Sequence, residues 1–352
     1  MKKLTRYLIV WVLILGAAAI FIFIRNQPKP AGERVMNVSE GTALVIPGAA
    51  ARIAQEAALL EQLDEWGQLD RVVFISGVSS GALNAVMLNA ILSGRYSWER
   101  YKSLLFSLNN QDVFSHTRSS LPVSTQPLRQ LITALLHDSI GFYKMSDLPI
   151  PTSLSVVSLN LKNIASATYR LSNRRINPES DPDLDLVEVL MASTAFPVAF
   201  PPVSIHNAPT LPKGLFIDGG SASDYIPFRA VLEFEKASEV NVEKMIIICR
   251  KLDTEAGLRT ELRELGVNRV DQVDKLGISL EEMGRKSFKN GLLALQKEAP
   301  SLAGRTFLYI PEIHKDYSLF DFHSLREQFE DTKQWAQSNQ PVPFRTIVPE
   351  NR

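Results

Sequence analysis

The hydrophobic pattern begins with an interval that has no polar face. Tyr7 to Ile24 is 18 residues without a charge, whereas a soluble surface helix shows a polar stripe. As a helix this stretch spans about 27 Å, close to the roughly 30 Å hydrocarbon core of a bilayer. The pattern predicts an N-terminal membrane anchor over residues 1–26. The competing reading is a cleaved signal peptide with Ala17-Ala18-Ala19 as its small-residue site, but Ile20 to Ile24 carries the apolar run past that point. Two prolines and a glycine in Gln27-Pro28-Lys29-Pro30-Ala31-Gly32 stop a helix, so 27–40 reads as a linker.

Beyond the linker, short apolar runs alternate with longer helical patterns. Strands are predicted at Ala43–Ile46, Val72–Ile75, Leu154–Leu159, Leu215–Ile217, Met245–Cys249 and Phe307–Ile310. Several are continuous apolar runs, as in strands buried on both faces of a parallel sheet. Helices are predicted at Ala51–Glu65, with apolar positions Ile53, Ala57, Leu60 and Leu63, and at Ser80–Leu92, Leu128–Leu136 and Leu186–Ala192. The alternation predicts a doubly wound α/β sheet with helices on both faces, in one domain over 41–335. Residues 251–304 form a charged helical excursion with glycines at 257, 266, 277, 284 and 291, which predicts several short helices. Pro341, Pro343 and Pro349 predict an extended tail over 336–352.

Composition narrows the class. Hydrophobic residues at 45% and charged residues at 22% exclude a mostly disordered chain. Lys+Arg and Asp+Glu both number 38, without the clustered basic excess of a nucleic-acid binder. That balance is uneven: the first 32 residues hold Lys2, Lys3, Arg6, Arg25 and Lys29 and no acid, so the remainder holds 33 bases against 38 acids. Lys2, Lys3 and Arg6 precede the span while Arg25, Lys29 and Arg34 follow it. With the free amine this favours an internal N-terminus and a domain on the non-cytoplasmic side. The single cysteine, Cys249, excludes an intrachain disulfide and a cysteine-ligated zinc site, and reads as a small buried hydrophobe. No metal-ligand spacing and no phosphate loop occurs, so no metal and no cofactor are expected.

The sharpest local signal is Gly77-Val78-Ser79-Ser80-Gly81, between an apolar run and the helical pattern that opens at Ala82. Strand, tight turn and helix are the setting of a nucleophile elbow. Gly77 and Gly81 keep the turn free of side chains, and the helix N-terminus offers N–H groups to a developing oxyanion. Ser79 is the expected nucleophile; the Ser76 and Ser80 side chains read as turn hydrogen-bonding groups. A serine hydroxyl needs a base. Asp218, at a strand end before Gly219-Gly220, is one candidate. A histidine is the other, with Ser79, Asp218 and His314 in the chain order of an α/β-hydrolase triad.

These residues resemble the patatin-like phospholipase family. Ser79 in its elbow and Asp218 in Asp-Gly-Gly are similar to that family's Ser–Asp dyad. Ala192-Ser193-Thr194-Ala195-Phe196-Pro197 through Phe200-Pro201-Pro202-Val203 resembles its Ala-Ser-x-Ala-x-Pro…Phe-Pro-Pro signature. The opening segment Leu44–Leu63 and the late segment Leu319-Phe320-Asp321-Phe322 resemble family segments as well, and the likeness runs from about 41 to about 330. It implies a three-layer α/β/α sandwich with a mainly parallel sheet, and a dyad in which Asp218 takes the Ser79 proton without a histidine. It also implies an oxyanion hole from Gly48, Ala49 and the Ser80 N–H, with Arg52, Gly219 and Gly220 in support.

Two departures stand out. Where the family reads Gly-Gly-Gly-x-Arg-Gly, this chain has Gly48-Ala49-Ala50-Ala51-Arg52-Ile53, and alanine strains any position that needs positive φ. Where the family often has Asn before a Pro, this chain has Asp224 ahead of Tyr225-Ile226-Pro227, read as a surface loop acid. The expected function is a membrane-tethered acyl hydrolase acting on phospholipid or lysophospholipid, with the lipid and its membrane as partners and no nucleic acid. The alternative is a family member that binds lipid or a protein without hydrolysis, because of the altered loop.

Overall fold

The computed structural model describes residues 39–115, 121–159, 167–252 and 272–344, and for 272–283 the backbone alone. The predicted anchor and most of the linker lie outside the described residues. Among the described residues, no helix is long and apolar enough to cross a membrane.

Among the described residues, eight strands form one sheet: β1 (Glu40–Ile46), β2 (Val72–Val78), β3 (Thr152–Leu159), β4 (Ala167–Ser172), β5 (Leu215–Asp218), β6 (Asn241–Ile248), β7 (Thr306–Tyr309) and β8 (Val342–Pro343). Their order is β4-β3-β2-β1-β6-β7-β8, with β5 also paired to β3. The sheet is mixed rather than mainly parallel. β3, β2, β1, β6 and β7 form the parallel centre, and β4, β5 and β8 pair antiparallel. Of the antiparallel strands, β5 was predicted, whereas β4 and β8 escape the sequence pattern because they are short or carry exposed positions, as β4 does at its start.

Alternate residues of β1 enter two separate cores. Leu44 and Ile46 pack with α1 (Ile53–Glu65), α2 (Ser80–Leu92), α3 (Trp98–Ser107), α4 (Gln126–Thr133) and α5 (Leu186–Ser193). Ala43 and Val45 pack on the other face with α6 (Arg229–Ala237) and α7 (Gln272–Glu298). α8 (Leu325–Ala336) joins the first face through Leu325, Phe329 and Ala336. The predicted arrangement of helices on both faces is therefore present.

Two elements differ from the pattern. α1 is buried on all sides from Ile53 to Leu63 rather than on one stripe. Three of its polar residues find internal partners: Gln55 Oε1 accepts from Lys251 N at 2.9 Å and Asn84 Nδ2 donates to Glu56 Oε2 at 3.1 Å. Glu61 is ion-paired with Lys102 at 2.7 Å and Lys333 at 3.0 Å. Of the excursion over 251–304, residues 253–271 lie outside the described residues; where a series of short helices was expected, the described part is the 27-residue α7, which carries Gly277, Gly284 and Gly291 in its interior, followed by a single turn at Pro300–Ala303. At Gly291 a Cβ would lie 3.0 Å from Ile226 Cδ1, so this glycine permits close packing rather than a break. Of the proline tail, residues 345–352 lie outside the described residues; before them Val342–Pro343 add an edge strand to β7 and Phe344 is buried.

The α6–α7 face holds a stacked pair, Phe74 and Phe234, with ring centroids 4.5 Å apart. Phe74→Ala is expected to destabilise the domain by about 3–5 kcal/mol. Chemical denaturation measures this, and a loss below about 1 kcal/mol would contradict the packing described.

Candidate active site

β4 covers the whole of one edge of β3, from Ser153 to Ser158. The other edge is shared end to end. β2 runs parallel along it and finishes with Val78 opposite Ser155, and β5 arrives antiparallel and finishes with Asp218 opposite Val156. The residues that terminate these strands, Ser79 and Asp218, therefore meet across one step of β3.

Ser79 has φ 57° and ψ −133°, a left-handed conformation at the head of α2. Such strain persists only where the surroundings enforce it. A Cβ on Gly81 would lie 2.2 Å from Ile46 O, and one on Gly77 would lie 2.6 Å from Gly81 O. Both positions need glycine because backbone passes against backbone. The Ser79 N–H donates to Ser193 Oγ at 3.0 Å, and Ser193 Oγ donates to Ser155 O at 2.9 Å. One hydroxyl thus ties the strained residue to β3.

Asp218 is buried, with 1% exposure. Its Oδ1 accepts from Gly220 N at 2.7 Å, and its N–H donates to Ala195 O at 3.0 Å. Gly219 lets this turn lie on β3, since a Cβ there would be 2.4 Å from Ser155 O. Burial pushes the carboxyl up to about 7, against smaller opposing effects from the Ser79 hydroxyl and the Gly220 N–H. Oδ2 has no partner meeting full hydrogen-bond geometry, and the Ser79 hydroxyl is the side-chain group that acts on this carboxyl. A base is most effective when its pKa lies near the working pH.

The loop after β1 corrects several expectations. Ala49 is not an open oxyanion donor: its N–H donates to Ser80 Oγ at 2.7 Å, because the side chain at the head of α2 faces this loop. The N–H groups of Gly48, Ala50 and Ser80 have no hydrogen-bond partner among the described residues. Gly48 passes so close that a Cβ would lie 2.9 Å from Ser79 Cβ. Of the three positions that replace family glycines, only Ala50 takes positive φ, at 49°. Arg52 is fully buried and does not line the cavity. Its Nε and Nη2 donate to Tyr317 O, and its Nη1 donates to Lys251 O at 3.1 Å, so it braces the loop from behind.

His314 is exposed, and among the described residues no histidine lines the cavity; the triad reading is set aside on that geometry. Asp224 is fully buried rather than a surface acid. Arg170 Nε and Nη2 donate to its two oxygens at 2.6 and 2.8 Å, and Ser155 Oγ donates to it at 3.1 Å. Two residues of the site, Ser193 and Arg170, are not singled out by the sequence pattern. Ser193 lay in view within the Ala-Ser-x-Ala-x-Pro segment, whereas Arg170 belongs to an unpredicted edge strand and carried no signal.

Ser79 and Asp218 open onto a cavity of about 180 Å³. Its long wall is hydrocarbon: Leu83 and Met87 of α2, Leu104 and Leu105 of α3, and Leu131 and Ile132 of α4. Phe196, Phe200 and Phe320 complete it. α4 continues as a π-helical segment, Ala134–Ile140, a local widening frequent at functional sites. Here it carries Leu135 and Leu136 into the same wall. Among the described residues, no group of His, Cys, Asp or Glu side chains is placed to hold a metal.

Two stability effects follow. The folded pKa of Asp218 lies above its unfolded value, so the folded state binds more protons and stability falls as pH rises from about 4 to about 7. Asp218→Asn is expected to raise stability above pH 7, on the order of 4 kcal/mol, and to leave it unchanged below pH 4. Denaturation at pH 8 and pH 4 measures the difference, and equal effects at both would contradict it. Ala50→Gly is expected to add about 1 kcal/mol by relieving the left-handed alanine, read as a rise in denaturation midpoint; a lowered midpoint would contradict the strain.

The family model for patatin-like phospholipase matches residues 44–232. No curated protein matches the chain. Among solved structures, VipD from Legionella pneumophila is similar at 12% identity and TM-score 0.44, over 86% of this chain and 67% of VipD. Human GIVD cytosolic phospholipase A2 is similar at 12% identity and TM-score 0.42, over 65% of this chain and 46% of that one. ExoU of Pseudomonas aeruginosa, in complex with SpcU, is similar at 14% identity and TM-score 0.32, over 75% of this chain and 59% of that one. The matched interval holds β1 through β5, the elbow at Ser79 and the turn at Asp218, and the chain belongs to the patatin-like phospholipase family.

Proposed function

We propose that this chain is a serine acyl hydrolase that cleaves acyl esters of phospholipid or lysophospholipid through Ser79 and Asp218. One observation carries the reading: a left-handed serine and a buried carboxyl of pKa about 7 stand together at the end of a hydrocarbon-lined cavity. The acyl chain lies along that wall, with its ester carbonyl at Ser79.

Ionised Asp218 takes the hydroxyl proton as Ser79 Oγ attacks the carbonyl carbon. The N–H groups of Gly48 and Ser80, joined by that of Ala50, hold the oxyanion in place of the occupied Ala49 N–H. Collapse expels the alcohol, which receives the proton from Asp218 and leaves an acyl-serine. A water then gives its proton to Asp218 and attacks the acyl carbon; the second collapse returns the proton to Ser79 Oγ and frees the acid. Preorganised donors of this kind are each worth roughly a hundredfold to a thousandfold in rate. The uncharged segment Tyr7–Ile24, outside the described residues, tethers the domain to the membrane that holds its substrate.

On a panel of acyl esters, Ser79→Ala and Asp218→Asn are each expected to lower turnover by roughly a thousandfold or more. Wild-type kcat/KM is expected to rise with pH to a half-maximum near 7 and to level above it, because the ionised form of Asp218 is the base. Equal turnover by wild type and Ser79→Ala, or a profile that falls across pH 6–8, would contradict the mechanism.

A further inference from the structure

The cavity has a polar side that acyl transfer leaves without a role. It is formed by Ser221, Tyr225, Arg250 and Ser287. Among the described residues, Asp218 and Arg250 are the only charged groups in the wall. Arg250 follows the end of β6, at the same carboxyl edge of the parallel strands as Ser79, and is only 2% exposed. Its Nη1 donates to Lys251 O at 2.8 Å.

Gly284 of α7 makes room for this group. A Cβ there would lie 3.1 Å from the Tyr225 hydroxyl and 3.2 Å from Arg250 Nη2. A glycine inside a helix costs about 1 kcal/mol relative to alanine; here it clears the space in which a phenol and a guanidinium meet at the cavity wall. The Tyr225 hydroxyl also donates to Gly48 O at 3.3 Å, so the same ring reaches the loop beside Ser79. Arg52, by contrast, is turned onto the carbonyls of Tyr317 and Lys251.

A guanidinium presents a planar fork of N–H donors that matches phosphate oxygens. We propose that Arg250 forms a phosphate-recognising subsite that takes the headgroup phosphate while the acyl chain occupies the hydrocarbon wall, the Tyr225 hydroxyl turning its single proton from Gly48 O to a phosphate oxygen. This rests on the acyl hydrolase reading and adds the feature that separates phospholipid from neutral glyceride.

The test uses the full chain in detergent with a matched pair, a lysophospholipid and a monoacylglycerol of the same acyl chain. Arg250→Gln is expected to lower the ratio of kcat/KM values, phosphate ester over neutral ester, by about tenfold or more, and Tyr225→Phe to lower it several-fold. Glycerol 3-phosphate is expected to inhibit wild-type hydrolysis of the neutral ester competitively, and to do so more weakly in Arg250→Gln. An unchanged ratio, or equal losses on both esters in folded protein, overturns the subsite. Should Arg250→Gln fail to fold, Tyr225→Phe and wild-type inhibition decide: an unchanged ratio with no inhibition overturns it. If wild type hydrolyses neither ester, the hydrolase reading fails by itself. The subsite is then judged by whether glycerol 3-phosphate raises the melting temperature of wild type and not of Tyr225→Phe; no rise in wild type overturns it.

Discussion

One constraint organises the site: a single edge of β3 is too long for β2 to cover, and β5 fills the remainder from the opposite direction. Two strands that run toward each other along one line bring their last residues together. No long flexible side chain is needed to close the distance between Ser79 and Asp218. β3 also supplies the anchoring groups, since Ser155 O receives Ser193 and lies beneath Gly219 while Ser155 Oγ reaches Asp224. Geometry of this kind places the groups before substrate arrives, which is where much catalytic advantage originates.

In the proposed mechanism, burial does the chemical work that a histidine does in a triad. An exposed aspartate at its ordinary pKa is a weak base toward a hydroxyl, whereas desolvation lifts Asp218 into the range useful near neutral pH. The same burial makes the ionised site unfavourable to the fold. The two cores on either face of the sheet, with the left-handed residues locked by close backbone contacts, supply the stability that offsets it. Stability sacrificed at a site and recovered in the scaffold is a general feature of enzymes.

Much of this was legible in the sequence, for physical reasons. Strands buried on both faces announce themselves as apolar runs, so β1, β2, β3, β5, β6 and β7 were visible, and α2 was predicted with the bounds it has. Glycines flanking Ser79 and following Asp218 marked places where backbone meets backbone. What could not be read was pairing. β4 and β8 are edge strands without a buried pattern, and Asp224 reads as a loop acid until Arg170 is placed beside it by β4. Glycines in α7 looked like breaks because the chain alone does not show Ile226, Tyr225 and Arg250 pressing on that helix. Ala49 kept an N–H in every reading, and only the structure shows that Ser80 Oγ already holds it.

The central claim is that buried Asp218 activates Ser79 directly. The most direct measurement is the second-order rate of covalent labelling of Ser79 by a fluorophosphonate as a function of pH, in wild type and in Asp218→Asn. The account predicts a sigmoidal rise with a midpoint near 7 in wild type, and a rate at least a hundredfold lower and without that midpoint in the variant. A wild-type rate independent of pH between 5 and 9, or equal labelling of the variant, would contradict it.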